Sequence, residues 1–222
     1  MNRNKCSHCG LVNSTTDQMC RRCGASLLGE PAPESVSEGV KPKRGSVRRL
    51  IWILSTTLIL LFAWYLSLLA SSDRLGFDRR KVVENAVIAL EQKGFGKEAF
   101  VLRNLVTYRE TDNWWNRSVG HQDAYAATNF PFEIVTLYPE FFEKTVDDTE
   151  RAAILLHEAS HLFGSGEESA LEQVWYDKQQ LGWTAAKYSS ISEVWGNTRR
   201  LTVSNVPKLF ICGPDGQSDC FQ

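Results

Sequence analysis

The uninterrupted uncharged run from Leu50 to Ser72 constrains this chain more than any other feature. Its 23 residues, LIWILSTTLILLFAWYLSLLASS, lie between Arg48-Arg49 and Asp73. As a helix they would extend roughly 34 Å, enough to cross the hydrocarbon core of a bilayer. A buried core helix would show polar positions at helical spacing, whereas here apolar side chains run right round the circumference. Residues 50–72 are therefore expected to form a transmembrane helix. The run begins behind what reads as a folded module and lacks a persuasive cleavage site, which argues against a removed signal peptide.

The same run divides the charge. Residues 1–49 carry nine Lys/Arg and four Asp/Glu, and residues 73–222 carry sixteen and twenty-two. A near-neutral whole, 25 basic against 26 acidic side chains, thus hides a basic and an acidic segment. That split excludes a single soluble domain and gives no case for a basic nucleic-acid-binding body. Lys41, Lys43, Arg44, Arg48 and Arg49 precede the run with no acid among residues 39–49. After it, Arg74, Arg79, Arg80 and Lys81 are diluted by Asp73 and Asp78. This asymmetry predicts a single-pass protein with a cytosolic N-terminus and an extracytoplasmic C-terminal domain.

Ahead of the run stand Cys6-Ser-His-Cys9-Gly10 and Cys20-Arg-Arg-Cys23-Gly24, with ten residues between Cys9 and Cys20. Each CxxC is a knuckle that can turn two thiolates onto one ion, and the following glycine relieves the tight turn. Two knuckles complete a tetrahedral, closed and therefore structural zinc site. A segment this short buries little core, so metal binding must supply its folding free energy. Residues 1–27 are read as this module, which resembles the short zinc ribbon of many membrane and regulatory proteins over residues 5–27. His8 is a spacer, because four thiolates already fill the tetrahedron. Arg21 and Arg22 could touch a cytosolic protein partner, although exposed arginines are ordinarily only solvated. Residues 28–49, rich in Pro, Gly and basic side chains, are expected to be a flexible linker.

Residues 73–222 are enough for one domain. A helix is expected near Arg79–Lys93, a strand over Ala99–Tyr108, irregular chain over 109–129 and a strand over 132–137. Cys212 and Cys220, with seven residues between them, can close a small disulfide loop or remain two thiols.

The chemistry is concentrated in a helix expected from Asp148 to Phe163, with Asp147 as N-cap and Glu150 as its capping-box partner. It contains His157-Glu158-Ala-Ser-His161. At i and i+4 the two imidazoles lie about 40° apart, opposite the apolar stripe of Ala152, Leu155, Leu156 and Ala159. Such a pair converges on one zinc ion, which acidifies a water towards neutrality, with Glu158 as general base. No further histidine follows in an HExxHxxGxxH pattern. Instead Gly164-Ser-Gly166 ends the helix, and a second one starting at Glu167 doubles back. Glu167 falls on that helix's apolar face, where a carboxylate needs a partner, so it is the favoured third ligand. Glu168 is the alternative, and Glu172 ranks last.

HEASH followed by Glu167-Glu-Ser-Ala170 resembles the glutamate-zincin metallopeptidases over about residues 130–181. That resemblance implies an α+β zincin-like catalytic domain holding a catalytic zinc. It also implies a strand before the active-site helix whose edge pairs with extended substrate, here residues 132–137. Hydrolysis of a protein or peptide close to the lipid bilayer follows as the expected activity. His121, Tyr108, Tyr125 and Tyr188 are candidate donors to an oxyanion, and Trp114-Trp115 could line a substrate cleft or pack in the core. One rival is a membrane-anchored binding or signalling protein with a non-catalytic zincin-like domain. A second is a metalloenzyme acting on non-peptide amides or cell-wall crosslinks.

Overall fold

The computed structural model describes residues 4–27, 44–119, 125–213 and 218–221. The chain divides into two compact units, residues 1–54 and 55–222, with the boundary inside a long helix.

In the first unit, β1 (Asn4–Lys5) and β2 (Val12–Asn13) pair antiparallel, Asn4 opposite Asn13. Helix α1 runs Arg44–Ala70, beginning before the apolar run. Residues 28–43 of the expected linker lie outside the described residues. Within Gly45–Ala70 an 18-residue window has a mean hydropathy of 2.0 and only 6% of it is buried, so this helix is long and apolar enough to cross a membrane.

The second unit mixes helices with a small sheet and includes the end of α1, where Leu68 is 1% exposed. Helix α2 (Phe77–Gln92) follows, burying Val83, Ala86, Val87 and Leu90 at helical spacing. Gly94 ends the turn after it with φ +94°, a conformation that disfavours side chains. Next come α3 (Gly96–Asn104) and β3 (Thr107–Arg109). The strand expected over Ala99–Tyr108 is thus mostly helix. Ala99 and Leu102, three apart, both face the core, and this helical spacing outweighs the strand propensity of the local sequence.

The stretch expected to be irregular holds α4 (Trp114–Val119) and β4 (Ala126–Asn129). Asn113 starts α4 by accepting, through Oδ1, the backbone N–H groups of Trp115 and Asn116. Strand β5 (Ile134–Leu137) is the middle of the sheet, parallel to β3 and antiparallel to β4. All four of its residues are buried, which explains why alternation in this segment is weak. The edge strand beside it is β4, a correction to the expectation that residues 132–137 offer a free edge.

After α5 (Pro139–Glu143), helix α6 (Asp148–Leu162) packs against α2, α3, β4 and α7 (Glu167–Leu181). Asp147 caps α6 as expected, accepting from Glu150 N. The Glu150 carboxylate accepts from Val146 N rather than from the cap residue, and it also receives Trp183 Nε1 and Ser192 Oγ. Fully buried, it ties α6 to the chain around α8 (Ala185–Tyr188) and α9 (Glu193–Asn205). A cluster of Trp175, Trp183, Trp195 and Phe210 closes this side, with ring centroids 4.7–6.4 Å apart. The chain ends in a 3-10 turn, Pro207–Phe210, and a Cys212–Cys220 disulfide, so of the two sequence alternatives the bonded pair is present.

Candidate metal centres

The four N-terminal cysteines form one cluster. Cys6 N donates to Leu11 O and Gly10 N to Cys6 O, and the second knuckle repeats this with Cys20 N to Ala25 O and Gly24 N to Cys20 O. Gly10 and Gly24 adopt φ +73° and +71°, the left-handed conformation that the glycine after each CxxC was expected to relieve. The sulfur atoms of Cys6 and Cys23 are 3.6 Å apart and those of Cys9 and Cys20 3.5 Å apart. A tetrahedron with metal–sulfur bonds of about 2.3 Å has edges of roughly 3.8 Å, so the four thiols fit a zinc ion. Asn13 Nδ2 also donates to Cys20 Sγ. Backbone N–H groups of Arg22 and Cys23 pull the Cys20 thiol down to about 6. At Cys23 the N–H of Ala25 favours the thiolate, but burial and the neighbouring thiols of Cys9, Cys20 and Cys6 outweigh it and push this thiol up to about 12. The four clustered cysteines are compatible with a structural metal site. His8 is exposed, as a spacer should be.

The second cluster is built where α6 passes into α7. Gly164, at φ +84°, ends α6, and Gly166 is the N-cap of α7. This short reversal brings Glu167 back onto the last turn of α6. His157 Nε2 lies 3.1 Å from His161 Nε2 and 3.5 Å from Glu167 Oε1, and His161 Nε2 lies 3.3 Å from Glu167 Oε2. Zinc bonds of about 2.0–2.1 Å to nitrogen or oxygen imply tetrahedral edges of roughly 3.3–3.5 Å, so the observed separations are close to those of a donor set that could hold a metal ion. His161 Nδ1 is 2.9 Å from Ser165 O, a partner that fixes the ring with Nε2 turned into the cluster. Glu167, by its hydrogen bonds, raises His161 to about 9. The carboxyl of Glu167 is in turn held well below the usual carboxylate range by His157 and His161.

Glu167 reaches this position by a different route from the one expected. Its side chain is 58% exposed, at the open start of α7, and not on the buried face formed by Ala170, Leu171, Val174 and Trp175. Glu168 is exposed and outside the cluster, and Glu172 is paired with Lys208 at 2.8 Å.

Beside the cluster, Glu158 is 4% exposed, and its Oε2 accepts a 2.6 Å hydrogen bond from Thr128 Oγ1 on β4. Both side chains, together with His157, His161 and Glu167, line a cavity of about 570 Å³. Its floor is apolar, with Ile154, Leu171, Val174 and Leu201 among the lining residues, and its wall is β4. Sequence reasoning missed Thr128, which lies 30 residues from Glu158 with no spacing to reveal it. It also missed a buried amide relay that fixes β4. Asn113 Nδ2 donates to Asn129 Oδ1, Asn129 Nδ2 to Asn116 Oδ1, and Asn116 Nδ2 to Thr136 Oγ1.

Of the candidate oxyanion donors, Tyr125 lines the cavity and accepts from Asn197 Nδ2. Tyr108 donates to Leu102 O and Tyr188 to Asp147, both elsewhere, and His121 lies outside the described residues. Trp114 and Trp115 neither line this cavity nor join the core. They are 41% and 43% exposed and pack on Trp64 of α1, with centroids 6.2 and 5.7 Å away.

Compared with known proteins, the chain matches no family model, and no curated protein or solved structure is significantly similar to it.

Proposed function

We propose that this chain is a membrane-anchored zinc peptidase of the glutamate-zincin kind, with His157, His161 and Glu167 as zinc ligands and Glu158 as general base. One observation carries the reading. Three metal-ligating atoms from α6 and α7 converge within 4.8 Å of one another, beside a buried carboxylate and in the wall of a cavity. Zinc, when bound there, supplies a Lewis acid that polarises a carbonyl and acidifies water.

The chain's own residues do the rest. Thr128 occupies one oxygen of Glu158 and holds the carboxylate in a fixed orientation. The other oxygen is left to take a proton from an attacking water and to pass it to the leaving amine. Strand β4 pairs with β5 on one side only, so its other edge can take an extended substrate backbone. Ala126 and Ala127, small and lining the cavity, permit a close approach.

The zinc ribbon is structural in this proposal, α1 spans the bilayer, and the peptidase unit lies outside. The Cys212–Cys220 disulfide supports an oxidising compartment for the C-terminal unit, and four clustered unoxidised cysteines support a reducing one for the N-terminus. The test is Glu158→Gln in the full chain, assayed on unfolded protein substrates. Hydrolysis should fall by at least about a hundredfold while bound zinc is unchanged. Turnover close to wild type would remove Glu158 from the mechanism, and zinc retained by a wild type inactive on every substrate would favour a binding domain.

A further inference from the structure

A second cavity, about 460 Å³, is lined by β3 and the helices before it and shares no lining residue with the one just described. Four arginines line it, Arg74, Arg80, Arg103 and Arg109, in a segment whose overall charge is acidic.

Arg109 is the informative one. It is 4% exposed, and its Nε is buried without a hydrogen-bond partner. A buried guanidinium without a counter-charge is costly and calls for an explanation. The nearby carboxylates make their close contacts with other groups. Glu110 binds Arg79 and Gly76 N, Asp73 accepts from Thr111, and Glu84 and Glu91 both pair with Arg103. Among the described residues, neither Arg109 nor Arg74 has a carboxylate within salt-bridge distance. The backbone bridge between Arg74 and Arg109 nevertheless holds these two residues side by side. Burial first, and then the charge of Arg74, act against the charged form of Arg109, and Tyr65 and Asp73 offset them only in part. Two like charges held together, with no carboxylate in salt-bridge contact with either, leave room for an external anion.

We propose that this cavity binds a phosphate-bearing anion, gripped by Arg109 and Arg74 with Arg80 beside them. Guanidinium forks match phosphate oxygens in pairs, which lysine or a lone helix terminus does not. The remaining lining is mixed: Leu75, Val83, Val87 and Leu102 are apolar, Thr107 and Tyr108 are polar, the carboxylate of Glu84 is paired with Arg103, and Leu69 comes from the last turn of α1. A ligand with a phosphate and an apolar part suits such walls, and the end of a membrane-crossing helix is where lipid headgroups lie. Free phosphate shares the anionic chemistry, so the test separates the two sources.

The full chain, in micelles of an uncharged detergent, is titrated calorimetrically with dihexanoyl phosphatidic acid, dihexanoylglycerol and inorganic phosphate. Arg74→Gln and Arg109→Met are treated alike. Saturable binding of one phosphatidic acid per chain is expected, with no binding of dihexanoylglycerol and at least about a tenfold loss of affinity in each variant. Inorganic phosphate binding alone, with the same loss in the variants, supports the site with free phosphate as its source. Without ligand, Arg109→Met should melt at or above the wild-type temperature, because it removes an unpaired buried charge. An arginine needed only for packing would give a lower melting temperature. Arg74 is exposed, so its variant decides the matter if Arg109→Met does not fold. The proposal is overturned if no phosphate probe binds wild type, or if both variants bind as wild type does.

Discussion

Removing the charge of Asp219 should destabilise the C-terminal unit by an amount the structure lets one bound. Lys178 on α7 is 1% exposed, and its Nζ lies 3.0 Å from Asp219 Oδ2. It also donates to Phe221 O, so two groups of the chain terminus meet one buried ammonium. Burial pulls the Lys178 pKa below its ordinary value, and Asp219 opposes that. In Asp219→Asn an amide oxygen can still accept, but the counter-charge is gone, and stranding a buried charge costs about 3–5 kcal/mol. For a unit of this size that is a fall in Tm of roughly 6–20 °C. The sign with pH is fixed. A lysine with a depressed folded pKa binds fewer protons folded than unfolded, so the variant should regain stability as pH rises between the folded pKa and the ordinary value. Wild type should regain less over the same range. The double variant Lys178→Met/Asp219→Asn, with no charge to strand, should recover most of the loss. Thermal melts of the full chain in detergent, followed by tryptophan fluorescence from pH 7 to 10, measure all three. A single variant melting within 1–2 °C (about one-half kcal/mol) of wild type, with no recovery at high pH, would refute the reasoning.

Other predictions bear on the two metal centres. Glu167→Ala should lower the zinc occupancy of the second unit, measured by metal analysis after dialysis, while Glu168→Ala and Glu172→Ala leave it at the wild-type level. Thr128→Val removes the hydrogen bond that orients Glu158 and should reduce turnover by roughly tenfold to a hundredfold with zinc unchanged, a loss expected for one bond to a charged group. Cys9→Ser, or a strong chelator, should release the ribbon metal and expose residues 4–27 to proteolysis while the melt of the second unit stays in place.

What was legible in the sequence is what depends on short spacing. The uncharged run, the paired CxxC-Gly knuckles and the i, i+4 histidines each state their geometry within a few residues. Glu167 was favoured for a place on the buried face of its helix, whereas the structure leaves it exposed and beside His157 and His161. Long-range partners were not legible. Thr128 meets Glu158 only because β4 is paired to β5 beside α6, and in the segment Ala-Ala-Thr-Asn only the threonine favours a strand. The helix at Ala99–Asn104 was missed because its branched and aromatic residues suit a strand, while its two core contacts are set by α2 and α6. Arg109 reads as an ordinary surface charge until the fold buries it.

The account's central claim is that the second unit holds its own zinc ion through His157, His161 and Glu167. Metal content per chain, measured by mass spectrometry on the full-length protein and on His157→Ala/His161→Ala, tests it most directly. Two zinc ions per wild-type chain and one in the variant are predicted. A single zinc in both, lost only when the N-terminal cysteines are replaced, would contradict it.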